Sequence, residues 1–253
     1  MILYVDSAAA FFEVLKELPK EDPYVCRMAS LCRSYPPAMP FVDYWRITDD
    51  SGCCGAVARN GADFIVYLTE RGDPSEVSAF LSMSGAGRVL CNGSIAIDGY
   101  ARVTEGVVMR ATREILTERE ADAAVPPLRD VYALIASCAG EGFMPPPFED
   151  FYVDVSHKLR HGILRLRGVS CDGHLAAVAM TVAESDCCAV LGAVACHPDF
   201  HRRGCGTSAV AAVVNSLLRE GKTVLLHRAQ NENIVFYEKL GFINCGIWRE
   251  YSN

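Results

Sequence analysis

Between His197 and Val210 the sequence reads HPDFHRRGCGTSAV. A proline, two arginines and two glycines stand directly ahead of GTSAVAAVVNSLLREG, where Val210, Val213, Val214, Leu217 and Leu218 recur at helical spacing and Gly221 supplies a stop. The first turn of a helix leaves about four backbone N–H groups without partners at the positive end of the dipole, an arrangement suited to phosphate. Gly204 and Gly206 would let a phosphate approach the backbone closely, and Arg202 and Arg203 add charge at the rim. Pro198 ends the ladder of the preceding strand and turns the chain. The competing reading is a plain strand-to-helix turn that needs glycine for its geometry.

Two other phosphate loops do not fit. The G-x-x-x-x-G-K-[ST] pattern is absent. GCGTSA matches G-x-G-x-x-A, but the dinucleotide fingerprint follows its strand directly, and here PDFHRR intervenes. The next strand ends in His227-Arg228, with no acid for a ribose.

These residues need elements to hold them. LRDVYALIASCA (128–139) and FEDFYVDVSHKLRHG (148–162) have helical spacing. ILRLRGVS, HLAAVAMTVAES and CCAVLGAVACH read as three strands joined by turns at CDGH and ESD, and Asp172-Gly173 is a hairpin signal. TVLLH reads as a buried parallel strand, NENIVFYEKLG as a short helix ending at Gly241, and FINCGIWREY as a closing strand. The second half is thus α-α-β-β-β-α-β-α-β. Earlier in the chain, MILYVDSAAAFFEVLKELPK reads as a strand and a helix. DYWRIT, CCGAVARN, DFIVYLT and GRVLCNG read as strands, and PSEVSAFLSM as a helix with Ser75 as its cap. No sequence repeat is evident. Loop-like stretches at 117–130 and 139–150 carry Pro126-Pro127 and Pro145-Pro146-Pro147. The first marks the expected boundary between a smaller α/β domain, residues 1–124, and a second domain, residues 125–253.

The chain has 253 residues, half of them hydrophobic, and a net charge of −7. That describes a globular chain and speaks against a general nucleic-acid surface. Residues 1–124 hold 12 basic and 18 acidic groups, and residues 125–253 hold 12 and 13, so Arg202-Arg203 is a local basic point suited to a small anion. No apolar run is long enough to span a bilayer, and the start lacks a secretion signal, so a cytoplasmic location is expected. The twelve cysteines show no C-x-x-C and no zinc spacing, and read as reduced thiols used as small core residues, with no metal.

Residues 189–248 resemble the GNAT superfamily of N-acetyltransferases. The family loop [QR]-x-x-G-x-[GA], which usually follows a proline and holds the pyrophosphate of acetyl-coenzyme A, matches HRRGCG except that His201 stands where Gln or Arg is usual. NENIVFYEKLGF is similar to the family's second element, an asparagine followed by an aromatic-Tyr-x-Lys-x-Gly-Phe run that ends the coenzyme site. The resemblance covers about residues 128–252. FYVDVSHKLRHG, ACHPDFHRRGCG and YEKLGF look most like two-domain bacterial members related to the glycine N-acyltransferase type. It implies an α/β (α+β) fold with a mixed, mostly antiparallel sheet flanked by helices, and a first half that is a divergent or degenerate domain of the same kind.

The resemblance also implies an activity: transfer of an acetyl group from acetyl-CoA, a co-substrate, to a primary amine by direct attack. The coenzyme would be held by Val194, Cys196, His201, Arg202, Arg203, Gly204, Cys205, Gly206, Thr207, Asn233 and Tyr237. In the family a backbone N–H on the strand before the loop holds the thioester carbonyl, which maps to Val194–Cys196 and makes the Cys196 side chain incidental. Tyr237 is the candidate acid for the departing thiolate, because a tyrosine of ordinary pKa, about 10, is protonated at neutral pH. Its alternative is a core-edge residue whose hydroxyl reaches water. Asn233 and Tyr237, four apart, are expected on one helix face, with Phe236 and Leu240 directed to the core. For a base, Glu184, Asp186, Asp154, His157, Glu250 and Tyr251 have no distinguishing spacing, and Glu184 and Asp186 read as a solvated hairpin tip. His197 and His201 read as surface loop residues. The acceptor is expected to be a small-molecule amine or a peptide, with no nucleic acid or membrane partner, and the chain to be a monomer or homodimer. The competing function is a non-catalytic acyl-CoA-binding or regulatory module.

Overall fold

The structure, a computed structural model, describes residues 1–140 and 144–253, so residues 141–143 of the 139–150 loop lie outside the described residues. The chain forms two compact units of nearly equal length. The first comprises residues 1–109, 227–232 and 244–253, and the second residues 110–226 and 233–243. This division differs from the expected linear cut at 124/125. Asn215 shows why residues 110–124 go with the second unit: its side chain accepts from the Ile115 N–H at 2.8 Å and donates to the Ile115 carbonyl at 2.9 Å. Farther on, the Asp122 N–H donates to the Gly168 carbonyl at 2.9 Å.

The first unit begins with β1 (Ile2–Tyr4), α1 (Ala8–Lys16) and α2 (Pro23–Ser34). Ser7 caps α1. Asp22 caps α2 by accepting from the Tyr24 and Val25 N–H groups at 2.8 and 3.2 Å, and Pro23 sits at the first helical position, where its missing N–H costs nothing. Next come β2 (Val42–Asp49), β3 (Gly52–Asn60), β4 (Asp63–Leu68), α3 (Pro74–Met83), β5 (Arg88–Asn92) and most of β6 (Arg102–Ala111). The cap of α3 is Asp73 rather than Ser75: Pro74 starts the helix one residue earlier, and the Asp73 carboxylate accepts from the Ser75 N–H at 2.9 Å.

The second unit contains α4 (Leu128–Ser137), α5 (Phe148–Arg160), β7 (Leu166–Cys171), β8 (His174–Glu184), β9 (Cys188–Cys196) and α6 (Cys205–Arg219). It also holds the first part of β10 (Thr223–Ala229) and α7 (Ile234–Lys239); β11 (Phe242–Ser252) begins in it and continues in the first unit. The β7–β8 hairpin turns on Asp172 and Gly173, both at positive φ, as the Asp-Gly pair predicts. Strands in the first unit lie in the order β1-β2-β3-β4-β5-β11-β6, and in the second β10-β9-β8-β7. The fold is α+β, with mostly antiparallel sheet and helices packed on it.

One topology occurs twice. In α1-α2-β2-β3-β4-α3-β5 the three middle strands are antiparallel and β4 pairs with β5 in parallel across α3. In α4-α5-β7-β8-β9-α6-β10 the strands β7 to β9 are antiparallel and β9 pairs with β10 in parallel across α6. Val210, Val213, Val214 and Leu217 of α6 are buried, as their spacing requires. Cys26, Cys32, Cys53, Cys54, Cys91, Cys188 and Cys205 are buried, as small core residues would be.

Candidate functional site

The strand leading to the glycine-arginine loop is not regular. Val178 pairs with Ala195 and Met180 with Gly192, so Ala193 and Val194 of β9 together oppose a single residue of β8. Ala193 takes φ 43°, a left-handed conformation rare in a strand. Such a bulge removes one residue from the ladder and re-aims its backbone groups. The parallel ladder with β10 covers Cys188–Leu191, short of the bulge. Val194 and Cys196 are half-buried at this strand end.

Beyond Cys196 the chain is pinned by short-range bonds. His197 Nδ1 accepts from the Asp199 N–H at 3.3 Å and caps a single 3-10 turn, Pro198–Phe200. His201 Nε2 lies 3.0 Å from the Cys196 carbonyl, so the histidine ties the loop back to the strand. Arg202 takes φ 60° and Gly204 φ 77°. Arg203 lies over the Phe200 ring and pairs with Asp172 at 3.3 Å, while its side chain remains half exposed. Cys205 is buried, and Gly206 and Thr207 are half-buried.

Helix α6 starts at Gly204, which offers no side chain to its own first turn. The first internal bond is from the Ser208 N–H to the Gly204 carbonyl at 2.9 Å, so the N–H groups of Cys205, Gly206 and Thr207 lie ahead of it. The topological counterpart in the first unit is arranged oppositely. At the start of α3 the Asp73 carboxylate occupies the donors and Pro74 has none to give. One strand-to-helix turn is filled by its own anion; the other presents its donors and carries Arg202 and Arg203.

Gly206 sits where three elements meet. A Cβ there would lie 3.7 Å from the Cys196 Cβ and 3.8 Å from the Phe236 Cζ. Thus the end of β9, the start of α6 and α7 converge. Burial, with the nearby Cys205 thiol, pushes the Cys196 thiol above its ordinary range, against the Gly206 N–H, which favours the thiolate. The thiol is therefore protonated at neutral pH and is not an activated nucleophile.

On α7, Tyr237 is half-buried, its ring edge-on to Phe236 at 5.1 Å and to Phe242 at 5.6 Å. Leu240 is buried and Phe236 half-buried. Asn233 does not share a helical face with Tyr237. It precedes the helix in a left-handed conformation, φ 54°, and its side chain makes no capping bond. Its carbonyl still accepts from the Tyr237 N–H at 3.2 Å.

The remaining candidates are engaged elsewhere. Glu184 is no solvated hairpin tip. It is buried, paired with Arg165 at 2.8 Å and Lys222 at 2.6 Å, and it lies opposite Ala189, seven residues along β9 from Cys196, about 23 Å at roughly 3.3 Å per residue. Asp154 pairs with Lys158 at 2.8 Å. The His157 ring lies 4.5 Å from that of His161. The Tyr251 hydroxyl donates to the Ile95 carbonyl, inside the first unit. The sequence held no signal for the bulge at Ala193 or for the meeting of Phe236 with Gly206.

The family model described as FR47-like protein matches residues 168–251. No curated relative matches the sequence. The fold is similar to that of a GNAT-family acetyltransferase from Colwellia psychrerythraea, with 12% identity, all of both chains covered and a TM-score of 0.59. It is also similar to a tandem GNAT protein from the clavulanic acid biosynthesis pathway, with 13% identity, 99% of this chain and 97% of the other covered, and a TM-score of 0.59. A Drosophila protein aligns at 12% identity over 99% and 98% of the two chains with a TM-score of 0.66. At these identities the likeness is one of fold.

Proposed function

We propose that the chain is a member of the GNAT superfamily, a reading that its FR47-like segment at residues 168–251 and its fold support, and that the second unit binds acetyl-CoA and transfers its acetyl group to a primary amine. The observation that carries this reading is the contrast between the two strand-to-helix turns: Asp73 fills one, while Gly204 leaves the α6 donors to a ligand's phosphate. Bound there, the coenzyme supplies a thioester whose carbonyl an amine can attack. The N–H groups of Cys205, Gly206 and Thr207 receive the pyrophosphate, with Arg202 and Arg203 at the rim. The backbone at Val194–Cys196, past the bulge and beyond the end of the β10 ladder, orients the acyl carbonyl and stabilises charge that develops on its oxygen. The Tyr237 hydroxyl gives its proton to the departing sulfur, and the proton that the attacking amine loses passes through water to restore it. His201 serves by holding the loop against Cys196, and Asn233 by setting the entry to α7. Direct attack fits better than a cysteine-bound intermediate, because the Cys196 thiol is held neutral.

The test pairs two measurements on the full chain. Calorimetric titration with acetyl-CoA should give saturable binding, and a thiol-release assay over a panel of primary amines should give turnover with at least one. Binding without turnover for any amine would favour a non-catalytic acyl-CoA-binding module, and absence of binding would overturn the reading.

A further inference from the structure

The first unit gathers a second set of polar groups on the α2 side of its sheet. β11 runs antiparallel to β5 with Trp248 opposite Asn92 and Glu250 opposite Leu90, which sets Trp248, Glu250 and Leu90 on one face. Leu90 and Trp248 pack against the core that α1 and α2 cover. His227 stacks on Trp248, with ring centres 5.9 Å apart and planes 12° from parallel, and the Tyr24 ring lies 5.5 Å from His227. Tyr24 and Arg27, three residues apart on α2, project from one side of that helix.

The aromatic residues spend their polar atoms. The Tyr24 hydroxyl donates to the Ile247 carbonyl at 3.4 Å and Trp248 Nε1 donates to the Arg228 carbonyl at 3.0 Å. Arg27 and His227 each leave one nitrogen unspent. Arg27 Nε and His227 Nε2 are shielded from solvent and have no hydrogen-bond partner among the described residues. Glu250 and Arg88 act on Arg27 only at longer range, and burial followed by the Arg27 charge keeps the His227 imidazole neutral. A guanidinium nitrogen and an imidazole nitrogen, both shielded and unpartnered, are costly unless an acceptor joins them. Both residues are half-buried rather than fully enclosed.

We propose that Arg27 and His227 form a carboxylate-binding site in the first unit, walled by the rings of Tyr24 and Trp248. The guanidinium demands an anion, and its planar fork matches a carboxylate in two parallel bonds. A neutral imidazole protonated at Nε2 adds a third donor. The stacked rings favour a flat group over a tetrahedral one. The site lies wholly in the first unit and does not depend on the coenzyme loop.

The test is an NMR titration of the full chain without coenzyme, following the His227 ring signals, assigned by their loss in His227→Gln. Acetate, glutarate and benzoate serve as carboxylate probes, and inorganic phosphate as the rival anion. At least one carboxylate should shift the His227 signals saturably, at least tenfold more tightly than phosphate, and Arg27→Met should weaken that binding at least tenfold. Arg27→Lys, which keeps the charge but loses the fork, should bind more weakly than the parent. It also stands in if Arg27→Met fails to fold. No saturable shift with any carboxylate, tighter phosphate binding, or unchanged affinity in a folded Arg27 variant would overturn the proposal.

Discussion

Replacing Gly206 separates folding from coenzyme binding. Its backbone is ordinary helix, and an added Cβ would meet Cys196 at 3.7 Å and Phe236 at 3.8 Å, both normal contact distances. Gly206→Ala therefore has room, and the change from glycine to alanine in a helix stabilises by no more than about 1 kcal/mol. The same methyl projects into the gap between the end of β9 and α7, over the first-turn donors. Loss of one charge-assisted backbone bond there costs about 1.5–3 kcal/mol, which is roughly a 10–100-fold rise in Kd for acetyl-CoA. Valine adds bulk in the same direction and should lose more. Gly204→Ala behaves differently: space is open around it, but φ 77° is left-handed, so the protein should lose about 1–2 kcal/mol of stability. Urea unfolding and calorimetry on the same preparations check both halves. A Gly206→Ala protein that is folded and binds acetyl-CoA as tightly as the parent would refute the placement of the phosphate at this turn.

Tyr237→Phe keeps the edge-on packing against Phe236 and Phe242, so coenzyme affinity should stay within a few-fold while turnover falls by about 10²–10⁴; parent-like rates with chemistry limiting would leave Tyr237 a packing residue. Burial raises the Asp22 carboxyl to about 6 despite its bonds to the Tyr24 and Val25 N–H groups. The folded state then holds the proton more tightly than the unfolded chain, so this group's contribution is full below about pH 4 and is lost as pH rises through about 6, by no more than about 3 kcal/mol. Asp22→Asn, which still caps, should remove that slope in unfolding measurements between pH 4.5 and 7, and an unchanged slope would assign it elsewhere. Glu184→Gln should destabilise by about 1–3 kcal/mol, because it removes the buried carboxylate and leaves Arg165 and Lys222 with Glu220 alone, yet leave turnover of the remaining folded protein within a few-fold.

Much of the second unit was legible because its signals are local. Asp172-Gly173, Gly204, Gly221 and Gly241 all take the positive φ that glycine or a hairpin turn requires, and the valines of α6 follow a plain helical period. Helix α2 escaped because almost every face of PYVCRMASLCRS is buried, Arg27 included in part, which erases the amphipathic period; only Asp22-Pro23 marked it. The division of the chain escaped for another reason. Strand periodicity says that FINCGIWREY is extended but not that Trp248 pairs with Asn92, and nothing near Ile115 announces Asn215. The repeated topology left no sequence repeat, since Asp73-Pro74 in one turn and Arg203-Gly204 in the other solve opposite electrostatic problems. At the site, residue types were readable, but the bulge at Ala193 and the left-handed Asn233 depend on pairing and loop closure that spacing does not encode.

The most direct test of the central claim is a calorimetric titration of acetyl-CoA into the full chain, run in parallel on Gly206→Val. Saturable binding at one coenzyme per chain is expected, through the open turn at Gly204 and not the turn filled by Asp73, with the affinity largely lost in the variant. Two coenzymes per chain, no saturable heat, or equal affinity in a folded Gly206→Val protein would contradict it.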